Sequence, residues 1–152
     1  MKKWLLGLLL ASLLTGCSRG SDPAQTADTI TQSLAAQGLC GTLESAAQSH
    51  MQTLTGEPYT YTLDQDTSSI AVFVYDDTEA AQEDAACVSP DGFGYNREDA
   101  DGSGYSVQTE WAAPPHFYRV DNVILRYIGS DADVLSALEQ VCGAPFAGDM
   151  TA

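Results

Sequence analysis

Two stretches decide the fold of this chain: residues 69–88, SIAVFVYDDTEAAQEDAACV, and residues 122–142, NVILRYIGSDADVLSALEQVC. Each opens on β-branched and aromatic residues, passes through acidic residues and closes with helical spacing. Residues 70–75 are apolar at every position, as expected of a central strand buried on both faces. Asp76, Asp77 and Thr78 supply cap side chains for a helix from Glu79 to about Cys87. In the second stretch a strand over 122–128 leads through Gly129, Ser130 and Asp131 into a helix over 133–141, ended by Gly143 and Pro145. Each stretch follows another strand. Residues 59–63 alternate apolar and polar, and residues 117–120 precede a turn at Asp121 and Asn122. A ββα unit therefore occurs twice, as an internal repeat or as two common strand-to-helix connections. The pattern predicts an α+β fold: an antiparallel sheet of about four strands with helices packed on one face.

Outward from these units, Ala27, Ile30, Leu34 and Ala35 recur at helical spacing over residues 24–37, and Gly38 and Gly41 break the pattern. Leu43, Ala46, Ala47, Met51 and Leu54 predict a second helix with Thr42 as its N-cap, stopped at Gly56 and Pro58. Residues 105–111 read as a strand, and the run Ala112-Ala113-Pro114-Pro115 forces an extended link. The length of 152 residues suits one domain with a real core, placed at residues 25–148 with a tail at 149–152.

The net charge is −15, from 6 basic and 21 acidic side chains. Such a surface repels phosphate backbones, which argues against nucleic acid as a partner. It also repels anionic lipid headgroups, so membrane attachment has to come from something other than charge.

The N-terminus supplies that attachment. Lys2 and Lys3 precede an apolar run from Trp4 to Leu14, then Thr15, Gly16 and Cys17. This is the layout of an export signal, and the run is shorter than the roughly 20 residues of a membrane-spanning helix. The junction Leu14-Thr15-Gly16-Cys17 resembles a bacterial lipobox. The resemblance implies a signal peptide over residues 1–16, cleavage before Cys17 and covalent lipid on its sulfur, which is the only cofactor expected. Residues 17–24 then form the lipidated cysteine and a short tether. The domain would face away from the cytoplasm, anchored in the cell envelope, and Ser18 after the cysteine leans toward the outer membrane if the cell has two.

Export implies an oxidising compartment. Three further cysteines are Cys40, Cys87 and Cys142. Cys142 shares a helical stripe with Leu135 and Leu138, which suits a buried thiol and leaves Cys40 and Cys87 as the expected disulfide. The alternative is three buried thiols.

The strings VSPDG at 88–92, WAAPPHFYR at 111–119, NVILRYIG at 122–129 and GAPFAG at 143–148 resemble a family of uncharacterised bacterial lipoproteins. The resemblance covers about residues 69–148. It implies a shared fold and an envelope address, and no activity. The chain departs from it in a longer acidic loop after Gly92 and in Arg126, where an apolar residue is expected.

Candidate binding residues are Trp111, His116, Tyr118 and Arg119, an aromatic cluster that lines a groove or packs into the core. His50 is the second histidine, in a segment of helical pattern. In the loop over residues 96–104, Asp99 and Asp101 match the third and fifth positions of a calcium loop, but Arg97 stands where the first carboxylate belongs. Arg126 interrupts an apolar strand, which calls for a buried carboxylate partner or a solvent-facing edge position. Catalytic signatures such as GxSxG, HExxH or a phosphate-cradling glycine loop are missing. The expectation is a non-catalytic envelope module that binds a protein partner. The alternative is a small-ligand or cation binder that uses the 111–119 cluster or the acidic loop.

Overall fold

The computed structural model describes residues 23–49, 52–65 and 68–148. The signal peptide, Cys17, most of the expected tether, His50 and the tail at 149–152 lie outside the described residues. Three helices and eight strands follow in the order α1 (Pro23–Ala36), β1 (Gly41–Ser45), β2 (Glu57–Leu63), β3 (Ser69–Val74), α2 (Thr78–Ala86), β4 (Gly94–Glu98), β5 (Gly104–Gln108), β6 (Pro115–Val120), β7 (Val123–Ile128), α3 (Ala132–Cys142) and β8 (Ala147–Gly148). Among the described residues no helix is long and apolar enough to cross a membrane.

The main sheet runs β1-β2-β3-β7-β6-β8 with every neighbouring pair antiparallel. It has six strands rather than four. β3 and β7 sit in the middle because their side chains are apolar on both sides. Ile70, Val72 and Val74 join Val123, Leu125 and Tyr127 on a first face, while Phe73 and Tyr75 join Ile124 on the second. A sheet that is apolar on both faces needs cover on both, so the helices are not confined to one side. α1 and α3 cover the first face through Ala27, Ile30, Leu34, Val134 and Leu138. α2 covers part of the second through Ala81 and Ala85. Full burial of Leu34 and Leu138 contributes about 2 kcal/mol each.

The ββα order does occur twice, as β2-β3-α2 and β6-β7-α3. β3 and β7 are antiparallel neighbours, so a rotation exchanging them would be perpendicular to the sheet and would leave both helices on one face. α2 and α3 lie on opposite faces, and the two units are not rotational copies.

Local chemistry ends the helices where the residues demand it. Asp77 caps α2 by accepting from Ala80 N–H at 2.8 Å, and Asp131 caps α3 by accepting from Asp133 and Val134 N–H. Each such cap contributes about 1 kcal/mol. α1 stops in a Schellman turn: Gly38 N–H donates to Ala35 and Leu39 N–H to Leu34, while Leu39 packs back on the core.

The helix expected from Leu43 to Leu54 is not formed. Residues 41–45 pair with β2 as β1, and Leu43 lies opposite Tyr61 on the first face. The unpaired edge of β2 takes the segment as a strand, which outweighs helical spacing carried largely by small alanines. Of the strand expected at 105–111, residues 105–108 form within β5, in a separate hairpin with β4, and residues 109–111 leave it.

Cys40, Cys87 and Cys142 are all free thiols, so the expected Cys40–Cys87 disulfide is absent. Cys40 follows α1, which covers the first face, whereas Cys87 ends α2 and packs with the second-face cluster. The sheet separates the two layers. Burial pushes the Cys142 thiol up to about 12. Because the thiolate is the reactive form, brief iodoacetamide treatment of the native chain is expected to alkylate exposed Cys40 and spare Cys142 until denaturant is added. Peptide mass spectrometry reads both sites, and a linked 40–87 peptide would overturn the free-thiol assignment.

Candidate functional site

α2 and the β4–β5 hairpin are fixed on the second face by one buried carboxylate. Asp84 is 3% exposed. It accepts from the Tyr75 hydroxyl at 2.6 Å, from the Tyr95 hydroxyl, and from Thr55 N–H and Oγ1–H at 2.7 and 3.1 Å. The Arg97 guanidinium approaches from the solvent side at 3.7 Å. Burial, reinforced by the hydrogen bond to Asp84, holds both tyrosine hydroxyls well above their ordinary pKa. Sequence reasoning passed over Asp84 because an acidic residue in a nine-residue helix suggests solvent. The available signal was its place on the Ala81–Ala85 face.

Trp111 is set by a second arrangement. Its Nε1–H donates to the Gly92 carbonyl at 2.9 Å. Gly92 has φ +74°, and a Cβ there would come within 2.9 Å of Pro115 and 3.1 Å of Gly148, so only glycine fits the turn against β6. Asp91 stiffens that turn by accepting from Ser89 Oγ–H and from Phe93 N–H, which together hold its carboxyl below the usual range. Gly148 N–H donates to Pro90, and Phe146 N–H donates to Phe117. A Cβ at Gly148 would collide with the Pro115 carbonyl.

Between this wall and β2 lies a groove of about 880 Å³ on the second face. Ala71, Phe73 and Arg126 form its floor, Trp111, Tyr105 and Val107 one wall, and Ala46, Ala47, Ser49, Gln52 and Thr53 part of the other. Arg126 lies on interior strand β7, not at an edge. Its Cζ is 4.8 Å from the Trp111 ring centroid and 5.4 Å from that of Phe73. Its Nε–H is buried without a hydrogen-bond partner among the described residues. Neither sequence expectation for Arg126 holds. Aromatic rings stand where a carboxylate was expected, and desolvation lowers its pKa while leaving it charged.

The sheet divides the expected 111–119 cluster. Trp111 reaches the groove. His116 and Tyr118 point into the first face, where His116 Nε2–H donates to the Gly129 carbonyl at 3.0 Å and its ring stacks on Tyr127. Tyr118 is fully buried, and desolvation, with Glu139 and Cys142 adding, pushes its hydroxyl up to about 12. Arg119 falls by register on the second face opposite Ile124 but does not line the groove. Alternation along β6 produces this division, so the four residues do not form one site.

Asp99 and Asp101 occupy the tip of the β4–β5 hairpin. Asp101 accepts from Ser103 N–H at 2.9 Å and Oγ–H at 2.5 Å, which lowers its pKa. Arg97 faces Asp99 at 3.8 Å. Among the described residues, no three His, Cys, Asp or Glu side chains converge as metal ligands would.

No known family model, characterised protein or solved structure matches the chain.

Asp84→Ala strands two tyrosine hydroxyls and the Thr55 N–H and hydroxyl, so a loss of about 3–5 kcal/mol is expected in urea unfolding. A loss below about 1 kcal/mol would show that the network does not hold the second layer.

Proposed function

We propose that this chain is an envelope lipoprotein whose domain is a binding module, holding an organic ligand in the Trp111 groove without converting it. The observation that carries the reading is the groove itself: about 880 Å³ of concave surface with an aromatic wall and one guanidinium on its floor. Ligand sites are commonly concave, mostly apolar and equipped with few polar groups. Arginine stays protonated and cannot relay a proton, which favours holding a ligand over general acid–base chemistry. The same guanidinium disfavours a cation as occupant. The Asp99–Asp101 hairpin tip adds no support for a cation, since its carboxylates are engaged with Ser103 and Arg97. A protein partner is the second reading, favoured by the exposed side chains of Phe93 and Tyr105, at 39% and 48%.

The envelope address rests on residues 1–17 and on the resemblance carried by the VSPDG, WAAPPHFYR and GAPFAG strings. In a bacterial host the full chain is expected in the membrane fraction, with a diacylglycerol mass on Cys17. Cys17→Ser is expected to remain an unprocessed precursor. An unmodified Cys17 thiol at the mature N-terminus would remove the lipid anchor from this reading.

The ligand reading has a built-in reporter. Trp4 and Trp111 are the two tryptophans of the chain, and removal of residues 1–16 with the signal peptide leaves Trp111 as the single indole, at the groove. A metabolite panel added to the processed lipoprotein in nanodiscs is expected to contain compounds that shift its emission saturably. Their effect should vanish when Ala71→Phe fills the floor without adding an indole. Emission that no compound moves would count against ligand binding and in favour of a protein partner.

A further inference from the structure

Arg126 is the most expensive side chain of the second face. A guanidinium withdrawn from water on a central strand ordinarily has a carboxylate beside it, because the lost hydration is otherwise uncompensated. Here the compensation is partial. Trp111 and Phe73 attract the positive charge through their rings, at 4.8 and 5.4 Å, but a ring supplies no acceptor in the guanidinium plane. The buried Nε–H has no partner, and among the described residues Arg126 makes no ion pair. Glu110 lines the same groove from an exposed position and does not reach it. The Nε–H is closed off from solvent, so what the half-buried Arg126 presents to the groove is the in-plane N–H donors of its Nη atoms, beside an apolar surface of Ala71, Phe73 and Val107.

We propose that the groove recognises an organic carboxylate, whose two oxygens take the in-plane donors of Arg126 while its apolar body lies along Ala71, Phe73 and Trp111. This rests on the ligand-binding reading and names the class of ligand. Guanidinium and carboxylate match as a planar pair, and the contact is charge-assisted on both sides. The net charge of −15 restricts the class further. The field of the whole chain opposes approach of any anion and opposes polyanions most, which selects a single charge on an apolar frame.

The test uses the processed lipoprotein in nanodiscs, ¹⁵N-labelled, with the Arg126 Nε–H resonance identified by its loss in Arg126→Lys. The probes are phenylpropionate and its amide, then matched aliphatic and aromatic carboxylate–amide pairs. Carboxylates are expected to move the Arg126 resonance and the Trp111 emission together, and to bind about tenfold or more tightly than their amides. Arg126→Met should erase that difference, and Arg126→Lys should keep part of it. If Arg126→Met loses its dispersed amide spectrum, the Lys variant and the wild-type Nε–H shift decide. Equal affinity for acid and amide, or a preference unchanged in Arg126→Met, would overturn carboxylate recognition and leave ligand binding standing. Silence of both signals across all pairs would overturn both.

Discussion

The second layer of this protein is built around one buried charge. Asp84 draws hydrogen bonds from the end of β3, from β4 and from the segment before β2, so three distant parts of the chain meet on one carboxylate. Burying a carboxylate costs several kcal/mol, and removing any donor leaves the rest of the network short. That makes the position of α2 and the β4–β5 hairpin all-or-none. Because Tyr95 also stacks on Tyr105 at 5.9 Å, the constraint extends into the groove wall.

Trp111 completes that wall through contacts that are local in space and distant in sequence. The turn at residues 88–92, the Pro114–Pro115 crossing and the terminal β8 meet at Gly92 and Gly148, two positions where a Cβ would clash. Residues 88–92, 111–119 and 143–148 are therefore one structural unit. Its product is an indole held by one hydrogen bond beside the guanidinium of Arg126. The backbone of Arg126 belongs to the sheet ladder between β3 and β6, but its side-chain Nε makes no hydrogen bond among the described residues.

Much of the secondary structure was legible. The central strands β3 and β7, the caps at Asp77 and Asp131 and the core stripe of α1 follow from side-chain period and capping chemistry, which act over a few residues. The segment after Cys40 was not legible, since its helical spacing lost to the unpaired edge of β2. Sheet order, the opposite placement of α2 and α3 and the free state of Cys40 and Cys87 were equally hidden, because each depends on which face a connection crosses. Of the expected binding residues only Trp111 reaches the groove. Period-two alternation sends His116 and Tyr118 into the core, a division that was invisible while the faces of β6 were unassigned.

The amino-acid order by itself determined the α+β class, the acidic surface and the resemblance of residues 1–17 to a lipoprotein signal, since composition and short-range pattern are properties of the chain before it folds. The tertiary structure alone decided that Asp84 is a hub, that Trp111 and Arg126 share a groove and that no carboxylate among the described residues answers the guanidinium. Those are relations between residues 9 to 53 positions apart in sequence. They arise only when a sheet apolar on both faces gathers cover from distant segments, and no local pattern encodes them.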